Sequence, residues 1–274
     1  YFIGDVRDLP RLIKAMENVD IVFHAAALKH VPVIEYNPFE AIKTNVLGSQ
    51  NVIDACLHEN VETAICVGTD KAVSPLNTYG ATKLLMEKLF VTASNYTNRE
   101  RHKTKFIAIR YGNVLGSSGS VVPTLLKQIE SGRNITITDP NMTRFNITMN
   151  QALDFIIRSS KKGNGGEVFI PKLKAYSLGI LKEAILEVLE KDVKTELISV
   201  RPGEKYHESL ISSEEIRNTF EDKDDYVILE DSLQNNIKTK KSTLTNQYSS
   251  DVVECLTKKE LKKILIEEKL VSTK

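Results

Sequence analysis

The chain has 274 residues, of which 41% are hydrophobic and 27% are charged, and its formal net charge is +1. This composition is typical of a globular protein that is long enough to bury one large core or two unequal ones. The small net charge argues against a nucleic-acid-binding surface, and no apolar stretch approaches the roughly 20 residues that span a bilayer.

The cysteines and histidines predict neither a disulfide framework nor a metal site. Cys56, Cys66 and Cys255 are widely separated, and the five histidines lack the spacing of metal ligands. We therefore predict a reducing, cytoplasmic location. Cys56 and Cys66 stand among apolar residues and are predicted to be buried, and His24 is predicted to be a packed residue at a strand end.

In the first half of the chain, short apolar runs alternate with longer amphipathic stretches. Strands are predicted over residues 19–27, 62–69 and 105–114, the last with its exit loop, and helices over 37–60 and 78–96. Continuous apolar strands separated by helices form a parallel sheet that is covered on both faces. The sequence therefore predicts an α/β fold with a doubly wound parallel sheet.

After residue 112 the pattern changes. Amphipathic helices are predicted over 121–132 and 177–191, and short strands over 134–139 and 167–172.

The last sixty residues combine an irregular segment with a terminal helix. Residues 214–250 are polar, and the charge run 221–225 is predicted to lie in a solvated loop. Thr257 and Glu260 have the spacing of a capping box and predict a short basic helix. We expect this helix to pack on the protein surface rather than against a membrane.

The segment TDKAVSPLNTYGATK concentrates proton donors and acceptors. Thr69, Asp70 and Lys71 follow a predicted strand, and ligands of doubly wound sheets lie beyond the carboxyl ends of the strands. Tyr79 and Lys83 share one face of the next helix. Because a nearby ammonium or an oxidised nicotinamide stabilises a phenolate, we expect Lys83 to lower the pKa of Tyr79, so that it accepts the proton of a sugar hydroxyl. The alternative is an ordinary pair on a helix surface.

Five ordered blocks of sequence carry a resemblance to a known family. The blocks are HAAALKHVPVIEYNPFEAIKTNVLGSQNV, TDKAVSPLNTYGATK, RYGNVLGSSGSVVP, MTRF and RPGEKYHE, and a weaker QYSSD follows. Together they resemble the extended short-chain dehydrogenase/reductase superfamily, and within it the inverting UDP-N-acetylglucosamine 4,6-dehydratases. The resemblance implies a Rossmann-like fold without its first βαβ segment. It implies a cofactor-binding domain at 1–170, which includes a substrate loop at 113–145, and a substrate-binding domain with a C-terminal helix at 171–274.

The resemblance also implies an activity. UDP-N-acetylglucosamine would be dehydrated at C4 and C6 with inversion at C5, giving a UDP-4-keto-6-deoxy-L-sugar for bacterial surface glycans or flagellin sugars. The implied cofactor is NADP, with NAD as the alternative, and the implied assembly is a homo-oligomer of unspecified subunit number.

Individual residues receive roles from the same resemblance. Thr69 would bond the sugar hydroxyl, Asp70 and Lys71 would carry out the elimination in either order, and Tyr79 and Lys83 would form the phenolate pair. Cofactor contacts are implied for Asp5, Val6, Ala25, Lys29, Gly68, Thr69, Tyr79 and Lys83. Substrate contacts are implied for Lys29, Asn113, Val114, Leu115, Gly116, Ser117, Ser118, Arg144, Arg201 and Glu204.

Several of these residues also have a simpler interpretation. Asn45, which by resemblance props the active-site strands, could cap a helix or stabilise a turn, as could Asn113. Arg144 and Arg201 could be ion-pair partners on the surface, although a guanidinium fork suits a diphosphate. The RPGEK segment could be a type I or type II turn.

The sequence departs from the family pattern in two respects. The glycine-rich loop that holds the cofactor pyrophosphate is absent, as is the strand end that selects NAD or NADP. Both would lie upstream of Tyr1, so we expect the chain to be a fragment that could be inactive by itself. Gly68 stands where the family usually carries serine, which is expected to loosen a contact without removing a proton carrier.

Two other functions remain open at this stage. A C4 epimerase would use Tyr79 and Lys83 but needs no acid and base for C6, so the Asp70-Lys71 dipeptide argues against it. A non-catalytic protein that binds nucleotide sugars is the second alternative, and the complete catalytic set argues against it.

Overall fold

The structure, a computed structural model, describes residues 1–96, 102–229 and 239–271. The chain forms two compact units. Unit 1 comprises residues 1–111, 154–172 and 210–247, and unit 2 comprises residues 112–153, 173–209 and 248–274. The chain therefore passes between the units several times, unlike the single boundary that we predicted after residue 170, and the predicted substrate loop 113–145 belongs to unit 2.

The strands of the described residues are short, as is usual for a globular protein. In chain order they are β1 (Ile21–His24), β2 (Thr63–Val67), β3 (Lys105–Ile109), β4 (Asn113–Val114), β5 (Ile135–Ile137), β6 (Thr143–Ile147), β7 (Glu167–Pro171), β8 (Ala175–Ser177), β9 (Thr195–Leu197), β10 (Ser209–Ile211), β11 (Thr219–Glu221), β12 (Asp225–Leu229), β13 (Lys240–Lys241) and β14 (Tyr248–Ser249).

The helices that the sequence predicts begin and end close to the predicted residues, and three others, Leu9–Ala15, Val31–Tyr36 and Met149–Lys162, were not predicted. In chain order the helices are α1 (Leu9–Ala15), α2 (Val31–Tyr36), α3 (Pro38–Ala41), α4 (Gly48–His58), α5 (Thr78–Tyr96), α6 (Val121–Glu130), α7 (Met149–Lys162), α8 (Leu178–Val188) and α9 (Lys258–Glu267). A π-helical segment, Ile42–Leu47, joins α3 to α4, so that the predicted helix at 37–60 is one continuous helical stretch. The predicted capping box of Thr257 and Glu260 opens α9.

Unit 1 is built on a seven-stranded sheet in the order β1-β2-β3-β7-β12-β11-β13. The first four strands run parallel, which confirms the predicted parallel sheet, and the last three are added antiparallel to their neighbours. β3 lies between β2 and β7 in the sheet, and its side chains are buried from Phe106 onward. One face carries a cluster that includes Ile65, Ile107, Phe155 and Phe169.

The prediction of an irregular segment at 214–250 is wrong for 214–229 and 239–250, and its remaining residues, 230–238, lie outside the described ranges. This segment supplies β11, β12, β13 and β14. The apolar run 226–229 of β12 is largely buried, and β12 pairs antiparallel with β7. Asp225, which we assigned to a solvated loop, is fully buried and bonds Arg158 and Lys162 at 2.6 and 3.0 Å. Its cationic partners come from α7, far away in sequence, which is why the charge run alone did not reveal the strand.

Unit 2 has its own apolar core. Helices α6, α8 and α9 contribute Leu125, Leu181 and Leu265, each at most 1% exposed. Next to them β4 pairs with β6 in parallel and β6 pairs with β8 antiparallel, while β5 pairs with β9. The predicted strand at 105–114 is therefore two strands, because the chain leaves the sheet of unit 1 after Ile109 and pairs with β6 in unit 2.

Cys56 and Cys66 are buried and Cys255 is exposed, and all three are free thiols. Burial raises the pKa of both buried thiols to about 12, so that they are inert at neutral pH. No group of side chains in the described ranges could hold a metal ion.

None of the helices in the described part of the chain combines the length and the hydropathy that crossing a bilayer requires.

Candidate active site

The carboxyl ends of β2 and β3 continue side by side beyond the strands themselves. The Gly68 amide donates to Ile109 O at 2.7 Å, and the Asp70 amide donates to Tyr111 O at 3.2 Å. These two bonds extend the ladder past Val67 and carry Thr69, Asp70 and Lys71 to the edge of the sheet where ligands of this architecture bind.

Gly68 is required by the close approach of the two strand ends. A Cβ atom at this position would lie 2.4 Å from Ile109 O, a backbone atom that cannot swing aside. The serine that the family pattern carries here would therefore need a shift of the backbone in this chain. Glycine in place of serine at position 68 therefore allows β2 and β3 to approach closely, besides removing any contact that a serine hydroxyl would make.

Asp70 lies at the centre of the proton-carrying groups. Its side chain is fully buried, and Oδ1 accepts from Thr69 Oγ1 at 2.8 Å and from Lys71 Nζ at 3.0 Å. The other oxygen, Oδ2, has no hydrogen-bond partner among the described residues. A buried carboxylate oxygen without a partner is costly, so Oδ2 is the atom of this group that is open to a proton or to a ligand.

Tyr79 belongs to the first turn of α5, which packs closely on the turn that follows β2. A Cβ atom at Gly80 would lie 2.3 Å from Lys71 O, and only a glycine permits this contact. Thr69 forms a side-chain hydrogen bond with the Tyr79 phenol. Burial raises the pKa of Tyr79 above its ordinary value, Asp70 adds to this increase, and Lys71 and the bond to Thr69 oppose it.

The expected effect of Lys83 on Tyr79 is corrected by the structure. Lys83 Nζ donates to Val67 O at 2.6 Å and lies 3.3 Å from Met86 Sδ, with the side chain buried. A buried ammonium needs acceptors, and the carbonyl at the end of β2 supplies one. The cation that lowers the pKa of the phenol is Lys71, and burial outweighs it. Burial also lowers the pKa of Lys83 to about 8, which nearby Cys66 and Glu87 partly oppose.

Asn45 ties the loop after β1 to α5, in agreement with its predicted supporting role. Its Oδ1 accepts from Leu28 N at 2.8 Å, and its Nδ2 donates to Leu28 O and to Thr82 Oγ1, both at 3.0 Å. Thr82 Oγ1 in turn donates to Tyr79 O at 2.9 Å. The π-helical segment thus fixes the first turn of the helix that carries Tyr79 and Lys83.

His24 is a packed residue at the end of β1, as predicted. Its side chain is buried, and its ring stacks on Phe90 with centroids 5.7 Å apart. His24 Nε2 lies 2.8 Å from Ser49 Oγ, whose hydroxyl donates to Asn45 O. Nε2 therefore carries the proton in the neutral ring. Burial, reinforced by Lys83, lowers the pKa of His24 to about 4.

This histidine predicts a pH dependence of stability. The unfolded chain takes up a proton near pH 6.5, whereas the folded protein resists it until about pH 4. The free energy of unfolding should thus fall by roughly 3 kcal/mol as the pH drops from 6.5 to 4. Urea unfolding across this range should be flatter in His24→Gln than in wild type. His58→Gln, which alters an exposed ring, should retain the wild-type dependence of the unfolding free energy on pH. If wild type and His24→Gln show the same dependence on pH, burial of a neutral His24 is not its cause.

Sequence reasoning missed Arg110 and Tyr111, which directly follow β3. Arg110 is 1% exposed, and its guanidinium bonds both oxygens of Glu87 at 2.6 Å and both oxygens of Glu215 at 2.7 and 3.0 Å. Tyr111 lies near enough to Tyr79 for the two phenols to affect each other electrostatically. The available signal was a polar pair at the carboxyl end of a buried strand, the pattern that did identify Thr69, Asp70 and Lys71.

Four of the residues that are expected to contact the cofactor lie within the first thirty positions, and they differ in their contacts. Asp5 is exposed and pairs with Arg7 at 2.7 Å. Val6 contacts α4, because its carbonyl accepts from Asn51 Nδ2 at 3.0 Å. Ala25 and Lys29 are exposed in the loop after β1.

In unit 2, residues 114–120 of the predicted substrate loop form two consecutive turns. Ser117 N donates to Val114 O at 3.1 Å and Ser120 N donates to Ser117 O at 3.0 Å. The third residue of each turn is a glycine with positive φ, +79° at Gly116 and +74° at Gly119, as type II turns require. The loop then leads into α6.

The first three residues of the expected set have different surroundings. Asn113 and Val114 belong to β4, where they pair with Asn146 and Ile147. The Leu115 side chain is 5% exposed within the apolar core of unit 2. The rest of the set, Gly116, Ser117 and Ser118, lies in the turns.

Arg144, Arg201 and Glu204 lie together in unit 2. Arg144 Nη2 lies 3.2 Å from Glu204 Oε1, and Glu204 Oε2 accepts from the Arg201 amide at 3.3 Å. Arg144 is buried, so its ion pair with Glu204 does not lie on the surface, unlike the surface pair that we considered as an alternative. Residues 201–204 form a turn with Gly203 at φ +74°, which agrees with the type II alternative and also presents Glu204 to Arg144.

The sequence profile of a family described as polysaccharide biosynthesis protein matches residues 1–230. A protein of Methanocaldococcus jannaschii, described as an uncharacterized membrane protein, is 45% identical over 273 residues, covering 97% of this chain and 80% of that protein. The inverting UDP-N-acetylglucosamine 4,6-dehydratase of Campylobacter jejuni is 48% identical over 229 residues, covering 83% and 67% of the two chains.

Epimerases also appear among the relatives. The UDP-glucose 4-epimerase of Rickettsia rickettsii is 39% identical over 272 residues, covering 97% of this chain and 79% of the epimerase. Among solved structures, that of Pen from Bacillus thuringiensis superposes with a TM-score of 0.91 at 40% identity, covering 99% of this chain and 82% of the other. The relatives support a nucleotide-sugar dehydratase-type or epimerase-type function.

Proposed function

Since the chain belongs to the polysaccharide biosynthesis protein family, within the extended short-chain dehydrogenase/reductase superfamily, we propose that it dehydrates UDP-N-acetylglucosamine with inversion at C5. The product would be a UDP-4-keto-6-deoxy-L-sugar. A cytoplasmic location and self-association stay predictions.

The observation that carries the proposal is the cluster of Asp70, Lys71 and Tyr79. A phenol alone suffices to deprotonate a sugar hydroxyl, as an epimerase requires. Here the phenol shares Thr69 with a buried carboxyl group, and that carboxyl group bonds a lysine. Elimination of water needs one group to remove the C5 proton and another to protonate the departing hydroxyl, and this pair supplies both.

The first proton transfer is assigned to Tyr79. Its phenolate accepts the proton of the C4 hydroxyl, while Thr69 orients that hydroxyl by a hydrogen bond. Burial raises the pKa of Tyr79, so the phenolate needs positive charge nearby, and Lys71 supplies part of it. The resulting ketone at C4 acidifies the proton at C5.

The elimination is assigned to Lys71 and Asp70. Once Tyr79 has taken up its proton, Lys71 passes a proton to the Asp70 carboxylate that it bonds. The resulting neutral amine of Lys71 removes the C5 proton, and Asp70 donates a proton from Oδ2 to the C6 hydroxyl, which leaves as water. The bonds of Asp70 support this order, because Oδ1 is held by Thr69 and Lys71 whereas Oδ2 has no partner among the described residues. A proton then reaches C5 from the opposite face and inverts that centre.

A nicotinamide cofactor fits the residues of unit 1. Ala25 and Ala26 are exposed just beyond the carboxyl end of β1, so that no long side chain covers this edge, and Tyr79 and Lys83 present a phenol and an amine. When bound, a nicotinamide would supply hydride chemistry between C4 and C6, so that the reaction would involve no net oxidation. NADP is proposed, with NAD as the alternative.

For the nucleotide end of the substrate, we propose Arg144, Arg201 and Glu204 in unit 2. The guanidinium of Arg144 is anchored by Thr143 O, Tyr206 O and Glu204. A guanidinium that is fixed in this way suits diphosphate recognition better than a mobile lysine does.

Product analysis tests the proposal. The protein, expressed from its complete open reading frame, should convert UDP-N-acetylglucosamine into a nucleotide sugar that has lost one water, in the presence of NADP or NAD. Mass spectrometry of the quenched reaction measures this loss. A product of unchanged mass would overturn the proposal.

The second candidate is a C4 epimerase, which the 39% identity to the Rickettsia enzyme favours. An epimerase would use Tyr79 and return hydride to C4 from the opposite face, without engaging Asp70 or Lys71 at C6. The same reaction would then yield an isomer of the substrate with an intact C6 hydroxyl.

Replacing Lys71 with alanine should abolish exchange of the C5 proton with solvent deuterium, because the base is removed. NMR of the reaction in D2O measures the exchange. Lys88→Ala, which truncates an exposed lysine of α5 that has no assigned role, should leave the exchange unchanged. Exchange that persists in Lys71→Ala would remove Lys71 from the role of base.

A further inference from the structure

The chain reverses direction at the C-terminal end of α9 in a well-defined motif. Lys269 N donates to Ile266 O at 3.0 Å, and Leu270 N donates to Leu265 O at 2.9 Å. Lys269 has a φ of +54°. This bond pattern with a left-handed residue is a Schellman motif, in which the residue after the left-handed position turns back toward the helix. The direction of the Leu270 side chain is therefore set by the end of α9.

Leu270 contacts the predicted substrate loop. A Cβ atom at Gly116 would lie 2.2 Å from Leu270 Cδ2 and 3.0 Å from Cδ1. The side chain thus fills the space beside the turn at residues 114–117, and a side chain at Gly116 would displace it. Both residues belong to unit 2.

The apolar core of unit 2 also holds the turn at residues 114–117 in place. Leu115, which precedes Gly116, is buried in the same core as Leu265 and Val271, and Leu270 packs against that core. The turn is therefore held on one side by the buried Leu115 and on the other by Leu270. Its exposed residues, Ser118 and Gly119, contribute nothing to this core.

We propose that Leu270 is a positioning residue for the loop at residues 114–118 and, through it, for the diphosphate of the nucleotide sugar. This inference rests on the proposed function, since it takes that loop as part of the substrate site. The C-terminal end of α9 pre-orders the loop, so that the cost of ordering it does not reduce the affinity for the ligand.

The test uses UDP as the probe, measured by calorimetry on the full-length protein. Leu270→Ala should weaken UDP binding about tenfold, because the loop is then ordered only on binding. Lys269→Val leaves Leu270 in place but puts a β-branched residue at positive φ, which is strained, and should weaken UDP binding similarly. Ile266→Ala, a truncation on the exposed face of α9, should leave it unchanged. The affinity for NADP should be the same in all four proteins.

Hydrogen exchange gives a readout without ligand. The amides of Ser117 and Ser120, which close the two turns, should exchange faster in Leu270→Ala than in wild type or Ile266→Ala. Unchanged UDP affinity and unchanged exchange in Leu270→Ala would overturn the inference, as would equal effects in Ile266→Ala. A wild-type protein that binds no UDP would overturn the proposed function instead, and exchange at Ser117 and Ser120 would then decide whether Leu270 orders the loop.

Discussion

Replacement of Tyr79 by phenylalanine is expected to lower kcat by about 1,000-fold, the typical contribution of a positioned general base. The variant keeps the ring that packs in the first turn of α5 and loses only the hydroxyl that bonds Thr69. Substrate affinity should change little, because the lost group acts chiefly in the transition state. Steady-state kinetics with UDP-N-acetylglucosamine measure the effect, with Tyr36→Phe, an 88% exposed tyrosine, as the matched control.

The two variants should also differ in their spectroscopic behaviour. Burial raises the pKa of the Tyr79 phenol, so that its ionisation in the protein without substrate should occur at higher pH than that of an exposed tyrosine. Ultraviolet difference titration of wild type against Tyr79→Phe isolates this step. A kcat for Tyr79→Phe within tenfold of wild type would exclude the phenol as the base.

Replacement of Arg110 by alanine is expected to lower the free energy of unfolding by roughly 3–5 kcal/mol. Glu87 is fully buried, and the loss of Arg110 would leave its charge without a partner. Arg110 also bonds Glu215 and Leu210 O, so it joins α5 and the end of β3 to the segment that begins at Leu210. Urea denaturation measures the loss, and Arg133→Ala, a change at an exposed arginine, should stay within about 0.5 kcal/mol of wild type.

A double variant distinguishes two causes of the expected loss of stability: the unpaired buried charge of Glu87 and the lost contacts of Arg110. Arg110→Met with Glu87→Leu replaces the innermost pair by apolar side chains, and such replacements are often neutral. The double variant should therefore recover most of the stability that Arg110→Ala loses. Equal stabilities for Arg110→Ala and Arg133→Ala would contradict the role assigned to this network.

Local sequence signals were sufficient for the elements of unit 1 that carry the site. The apolar run of β2 and the first turn of α5 follow from short-range patterns, and both place Thr69 to Lys71 and Tyr79 at one edge of a parallel sheet. The capping box of α9 likewise depends on residues only three apart. Where a contact lies within one turn or one strand, the sequence was informative.

Contacts between distant residues were not accessible in this way. Lys83 bonds Val67 O, sixteen positions away, so its spacing from Tyr79 did not reveal its acceptor. The buried Asp225 pairs with Arg158, and Arg110 with Glu215, across 67 and 105 positions. The division into units depends on such contacts as well, because the chain returns to the sheet of unit 1 after each excursion into unit 2.

The measurement that tests the central claim most directly is the NMR spectrum of the product that the full-length protein forms from UDP-N-acetylglucosamine in D2O. If Asp70 and Lys71 carry out an elimination beside Tyr79, the product is a 4-keto-6-deoxy sugar with deuterium at C5 and the L configuration. A 4-epimer that keeps its C6 hydroxyl and its original C5 proton would contradict the account.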